Sequence, residues 1–366
     1  MASTLTRTLI DPVREKVMAG ERLDFDDGVA LLESDDLLGL GELADQARRL
    51  RGGTDEVYFV NNLYLNHTNV CRVKCKFCAF ARTNKQDGAY TWEIGPLTQH
   101  ALKHYEQEQF SEIHMVGGES PYLDLDYYLD LVRSLKSALP DVTLKCFTAS
   151  EVHHITKLSG LTHEEVLKEL FAAGVETLPG GGAEVFADRV RKIVAPGKEH
   201  PEIWLNVHRL AHGMGVKTHC TMLYNHVETY EERVDHLLRL RELQDETGGF
   251  VTFIPLAFQP WEAPAMKLPE TTGFDDLKAI AVARLLLDNF PHVKSYWIMI
   301  TPRLAQVGLS FGADDIDGTV TEEKIAHDAG AQTPQAMTVH ELVRLVREAG
   351  RRPVERDTLF NVVKEW

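Results

Sequence analysis

The chain has 366 residues, 44% of them hydrophobic and 26% charged, with 26 Gly and 15 Pro, a balance that excludes disorder, collagen-like repeats and low complexity. Its 39 Lys and Arg against 55 Asp and Glu leave a net charge of −16, which repels phosphate backbones and argues against nucleic acid as a main partner. The most apolar stretches, 251–258 and 280–287, are too short to span a bilayer, and residues 1–14 lack the apolar core of a signal peptide, so a cytoplasmic protein without a membrane span is expected.

In chain order, residues 1–54 read as an N-terminal helical extension, with amphipathic segments at 26–33 and 39–51. Beyond it, short β-branched or apolar runs alternate with segments of helical period, the pattern of repeated βα units on a parallel sheet. Eight strands are predicted, at 63–66, 112–116, 143–148, 177–179, 217–221, 250–255, 295–300 and 309–312. Helices are predicted at 126–138, 162–173, 204–214, 230–246 and 274–290, and Thr162 with Glu165 fits a capping box at the second of them. The expected fold is α/β, a TIM-type (β/α)8 barrel over 55–312 with helical extensions at both ends. A C-terminal segment, 313–366, with a last helix at 339–349, should pack on the barrel.

Five cysteines cannot form a disulfide framework in a chain this long, and three of them, Cys71, Cys75 and Cys78, form C-x3-C-x2-C. Three thiolates on one loop can each bind an iron of a 4Fe-4S cube and leave the fourth iron open to an exogenous ligand. A structural zinc site would need a fourth protein donor, for which His67 and His100 are the nearby candidates. Lys74 and Lys76 can offset cluster charge, while Phe77 and Phe80 can exclude water from it. Cys146 and Cys220 alternate with polar neighbours on predicted strands and read as inert buried thiols.

The C-x3-C-x-aromatic-C pattern, placed just after the first barrel strand, resembles the radical S-adenosylmethionine (SAM) enzymes. The resemblance implies that the methionyl amine and carboxylate of SAM chelate the open iron, and that one electron cleaves the sulfonium to a 5'-deoxyadenosyl radical. Gly117-Gly118-Glu119 follows the second strand, where barrel active sites gather. It looks like the family element that holds the methionyl amine. The run Pro179-Gly180-Gly181-Gly182 suits contact with a carboxylate or ribose through its N–H groups, with Gly181 and Gly182 the candidates. Glu151, at the end of the third strand, is read either as a contact to ribose or amine or as a solvated loop acid. His219 and His226, on and after the fifth strand, are candidates for proton transfer, with a hydrogen-bonded structural role as the alternative.

Longer strings narrow the resemblance. Residues 221–228 (Thr-Met-Leu-Tyr-Asn-His-Val-Glu), 253–260 (Phe-Ile-Pro-Leu-Ala-Phe-Gln-Pro), 329–335 (Ala-Gly-Ala-Gln-Thr-Pro-Gln) and 353–360 (Pro-Val-Glu-Arg-Asp-Thr-Leu-Phe) resemble the aminofutalosine synthase group of the futalosine route to menaquinone. The likeness is shared in part with dehypoxanthine futalosine cyclases and deazaflavin-cofactor synthase subunits. Asn225 stands where this group usually has glycine, which predicts altered backbone geometry after the fifth strand. The resemblance implies addition of the adenosyl radical to the double bond of 3-[(1-carboxyvinyl)oxy]benzoate, an aryl enol ether, giving aminofutalosine, methionine and CO2 or bicarbonate. SAM is then a co-substrate, and a low-potential electron donor such as flavodoxin or ferredoxin is implied. A homodimer is left open. A dianionic substrate asks for cations on the rim, and Arg82 and Arg303 are the candidates, with surface ion pairing as the alternative.

Overall fold

The structure, a computed structural model, describes residues 10–263 and 265–366. Residues 1–9 of the expected N-terminal extension lie outside them. Among the described residues the strands are β1 Glu56–Val60, β2 Asn62–Leu65, β3 Glu112–Met115, β4 Thr143–Cys146, β5 Thr218–Tyr224, β6 Phe250–Ala257, β7 His292–Val293, β8 Asp315–Gly318, β9 Arg352–Arg356 and β10 Val362–Glu365. Parallel ladders build two arcs, β2-β3-β4 and β5-β6-β7. Single parallel bridges join them into a ring. Lys145↔Thr177 and Leu178↔Thr218 insert a short fourth stave, Lys294↔Asp315 joins β7 to β8, and Leu63↔Thr321 returns to β2. All seven residues of β5 are buried, as expected of strands covered on both faces by a barrel's interior and its helices.

Helices lie where periodicity placed them, at Leu125–Ala138, His163–Ala173, Pro201–Gly213, Tyr230–Thr247 and Gly273–Leu286. Thr162 and Glu165 form the expected reciprocal cap. Two predicted strands move. The run 295–300 is not the seventh stave: β7 precedes it, and Trp297–Ile300 is helical, because a short apolar run fits a buried helix as well as a strand. The eighth stave is β8 rather than 309–312, so the barrel extends into the segment expected to lie outside it. Asp315-Ile316-Asp317-Gly318 falls in the expected C-terminal segment, yet it forms a buried strand whose two carboxylates meet buried cations. Arg356 pairs with Asp315 at 2.5 Å, and Lys294 pairs with Asp317.

The ends of the chain brace the barrel from outside. Helices Phe25–Glu33 and Leu37–Leu50 pack along Gly273–Leu286, with Arg51 donating to the carbonyl of Arg284 at 2.7 Å. At the other end, β9 runs parallel to β1 and pairs antiparallel with β10. Between them the chain crosses the base of the barrel. Arg356 and Thr358 are fully buried there, Thr358 Oγ1 lies 3.3 Å from His219 Nε2, and Phe360 stacks on His292 at 3.8 Å. The N-terminal ends of β5, β7 and β8 are thereby closed by the C-terminal tail.

Candidate active site

One cavity of about 290 Å³ runs from the cysteine loop toward that closed base. The loop follows β2 directly and is pinned by backbone bonds on both sides: Cys71 N–H donates to Arg82 O at 2.9 Å, Arg82 N–H to Asn69 O at 2.8 Å, and Lys76 N–H to Val194 O at 2.8 Å. Cys71, Cys75 and Cys78 are free, and all three line the cavity with Phe77 and Phe80. Burial pushes the Cys75 and Cys78 thiols up. Their sulfurs, with that of Cys71, are not all within 4.8 Å of one another, whereas donors to one tetrahedral zinc would sit roughly 3.8 Å apart. A cluster that gives each thiolate its own iron needs no such convergence. Neither histidine considered as a fourth donor lines the cavity. His67 is buried among Tyr127, Tyr128 and Phe147, and His100 lies on the helix Ile94–Gln107.

The cation beside the thiols is not one of the loop lysines. Lys74 is exposed, while Lys198, largely buried, lines the cavity and pairs with Glu184 at 2.6 Å. Burial works against its charge, but Glu184, Cys75 and Glu199 outweigh that and raise Lys198. Once the thiols are thiolates, this ammonium stabilises them.

Glu119 lines the cavity, 6% exposed, with Arg72 3.6 Å away. Burial, reinforced by Glu199 and Glu151 and opposed by Lys198 and Arg72, raises it to about 7. The glycines before it serve the protein first. A Cβ on Gly118 would lie 2.3 Å from the Val70 carbonyl, so glycine is what lets this turn press against the cysteine loop. The N–H groups of Gly117 and Gly118 are also spent internally, on Glu151 Oε1 (2.9 Å) and Thr68 O (2.8 Å). Glu151 is therefore no loop acid. It sits in the first turn of the helix Ala149–Ser159, accepting from Thr148 N–H and Oγ1 at 2.8 Å, and burial raises it to about 7. By contrast, the N–H groups of Gly181 and Gly182 make no hydrogen bond among the described residues, and both glycines line the cavity.

The far end of the cavity is a layer of charged and aromatic groups that the sequence did not announce. Lys145 pairs with Glu112 at 2.6 Å, Lys294 with Asp317, and Arg356 with Asp315. Three cations thus face three carboxylates. His114 stacks on Tyr64 at 4.4 Å, and burial holds His114 and His219 well below the usual imidazole range, so both are neutral. Their Nδ1 atoms are buried without a hydrogen-bond partner among the described residues, and both rings line the cavity. A buried polar atom left in this state marks a place for a ligand group.

His226, Arg82 and Arg303 stand apart. His226 Nδ1 contacts Glu228 at 3.0 Å and its Nε2 bonds the Leu223 carbonyl at 3.0 Å; with Arg233 it overcomes burial and holds Glu228 at about 2. This cluster shapes the turn after β5, where Asn225 adopts φ +67°. The left-handed geometry that glycine would supply is kept, asparagine being the side chain that tolerates it best. Arg82 donates to the carbonyls of Ala79 and Ala81 and so braces the cysteine loop. Arg303 is exposed, and none of the three lines the cavity.

Residues 65–240 match the Radical SAM superfamily, and residues 247–365 match the CofH/MqnC C-terminal region. The chain is 50% identical to the aminodeoxyfutalosine synthase of Thermus thermophilus, over 97% of this chain and 96% of that one. It belongs to the radical SAM superfamily. This radical SAM enzyme is also 47% identical to the aminodeoxyfutalosine synthase of Streptomyces coelicolor, over 97% of its own length and 94% of the relative's. Among solved structures, methylornithine synthase shares its fold with a TM-score of 0.74 at 18% identity, over 93% of this chain and 97% of that one. Radical SAM enzymes use a 4Fe-4S cluster and SAM, in keeping with the thiol spacing and the cavity beside the cysteine loop. No helix among the described residues is long and apolar enough to cross a membrane.

Proposed function

We propose that this radical SAM enzyme is an aminodeoxyfutalosine synthase, acting on SAM and 3-[(1-carboxyvinyl)oxy]benzoate with electrons from a low-potential donor such as flavodoxin or ferredoxin. The observation that carries the reading is the polarity of the cavity's deep end, where two neutral histidines keep unpartnered Nδ1 atoms beside Lys145 and Lys294. The identity to synthases over nearly the whole chain supports the same assignment.

When bound, the cluster supplies the single electron that splits SAM into methionine and an adenosyl radical. Cys71, Cys75 and Cys78 hold the cluster, and Lys198 offsets its charge. Glu119 accepts from the methionyl ammonium, which requires its ionised form, while the free N–H groups of Gly181 and Gly182 receive the carboxylate or ribose. Glu151 acts at one remove, fixing Gly117 through its N–H. At the deep end the substrate carboxylates take hydrogen bonds from His114, His219 and the two lysine ammoniums, in place of the arginines expected on the rim. Tyr64 and Tyr296, whose hydroxyls lie 3.4 Å apart, present aromatic surface to the aryl ring.

The test is anaerobic turnover of reduced, cluster-loaded protein with SAM and the enol ether. An adduct of adenosine and substrate, without free 5'-deoxyadenosine, is expected. Free 5'-deoxyadenosine formed in proportion to product would refute the synthase and point to a hydrogen-abstracting sister enzyme.

A further inference from the structure

Outside the barrel, the helix Ile94–Gln107 carries His100 and His104 four residues apart, on one face. Glu322, on the segment that follows β8, reaches the same spot, and one donor atom of each residue lies within 4.8 Å of the other two. His100 Nε2 lies 3.4 Å from Glu322 Oε2, and His104 Nε2 lies 3.6 Å from Glu322 Oε1. These separations are too long for hydrogen bonds. Each matches the spacing, roughly 3.3–3.6 Å, of an imidazole nitrogen and a carboxylate oxygen that both lie 2.0–2.2 Å from one ion, with a different oxygen of Glu322 facing each histidine. Glu322 holds its place at φ +68°, a conformation that a residue with a Cβ adopts only under constraint. Trp92 covers one side, its ring 5.5 Å from that of His100.

We infer that His100, His104 and Glu322 form a binding site for a divalent transition-metal ion of the zinc class, distinct from the cysteine site. The donor set, two imidazoles and a carboxylate, is one that zinc favours. Because none of the three lines the catalytic cavity, the ion acts as a clasp rather than a catalyst. What it clasps matters for the cavity wall. Thr321, one residue before, accepts from Tyr64 N–H at 2.8 Å. Glu323, one residue after, lines the cavity and accepts from Ala326 N–H at 2.8 Å. A metal at Glu322 therefore fixes the helix Ile94–Gln107 to the segment that closes one side of the active site.

The experiment titrates Co2+ anaerobically into chelator-treated, cluster-loaded protein and follows ligand-field absorption above the cluster background, with Zn2+ as competitor. One saturable Co2+ per chain, displaced by Zn2+ with iron and sulfide content unchanged, is expected. Glu322→Gln and His100→Gln should each weaken binding at least tenfold, on the scale of losing a metal-site group. Zn2+ should also raise the thermal midpoint of the parent protein and leave that of the variants unmoved. Both side chains are part-exposed, and a variant whose metal-free melt departs from the parent's is replaced by His104→Gln. Absence of saturable uptake, or variants that bind within tenfold of the parent, overturns the site.

Discussion

Glu119→Gln isolates the energetic cost of the buried acid beside the cysteine loop. The folded chain raises Glu119 from an ordinary 4.5 to about 7, through burial first and neighbouring Glu199 and Glu151 next. At about 1.4 kcal/mol per unit, ionising it costs the fold about 3 kcal/mol. The sign follows from proton binding: between the two values the folded chain keeps a proton that the unfolded chain has lost, so stability falls as pH rises across that window. Glutamine has nearly the same shape and cannot ionise. Its advantage over the parent should be about 1 kcal/mol near pH 5 and about 3 kcal/mol near pH 8, read by denaturant unfolding of cluster-free protein under reductant. The same variant should raise KM for SAM, since a neutral amide receives an ammonium less well than a carboxylate does. A gap that stays constant from about pH 5 to about pH 8 would refute the reasoning, because it would mean that the carboxyl ionises in the fold as easily as in water.

Cys75→Ala should lose the brown chromophore and about four irons per chain, measured by iron and sulfide analysis, without unfolding the barrel. Arg356→Leu should destabilise by about 3–5 kcal/mol in chemical denaturation, because it removes the direct ion-pair partner of the buried Asp315 carboxylate and leaves only Lys294, 3.7 Å away and already paired with Asp317. Arg303→Ala, at an exposed position outside the cavity, should leave both stability and KM for the enol ether unchanged. His219→Phe should raise KM for the enol ether at least tenfold, about 1.4 kcal/mol or more, while uncoupled SAM cleavage persists, because the ring lies at the deep end and not beside the thiols.

The parts of the site that were legible in the sequence are those whose partners are close in the chain. Cys71, Cys75 and Cys78 announce a metal-binding loop through their spacing, and Thr162 with Glu165 announces a helix start. Glu151 is visible in the sequence, but Thr148-x-x-Glu151 is itself a capping box and starts a helix rather than ending a strand. The barrel could be read from periodicity, except where periodicity has nothing to act on. β7 has two residues, and β8 owes its form to Lys294 and Arg356 at remote positions. Lys145, Lys198, Lys294 and His114 carry no local signal for the same reason, since each sits in an ordinary sequence context and acquires meaning only when distant staves meet. The arginines that stood out, Arg82 and Arg303, did so by lying near a motif, and nearness in sequence did not become nearness to the cavity.

The tail that crosses the base, with Arg356 and Thr358 wedged beneath β5 and β8, shuts the reaction vessel at that end and leaves the cysteine-loop side as its door. Two reactants that share one entrance cannot load independently. The one seated deeper has to arrive first and is then trapped until its companion departs. Steady-state kinetics should accordingly be ordered, with the aromatic acid leading and the sulfonium compound acting as the lid.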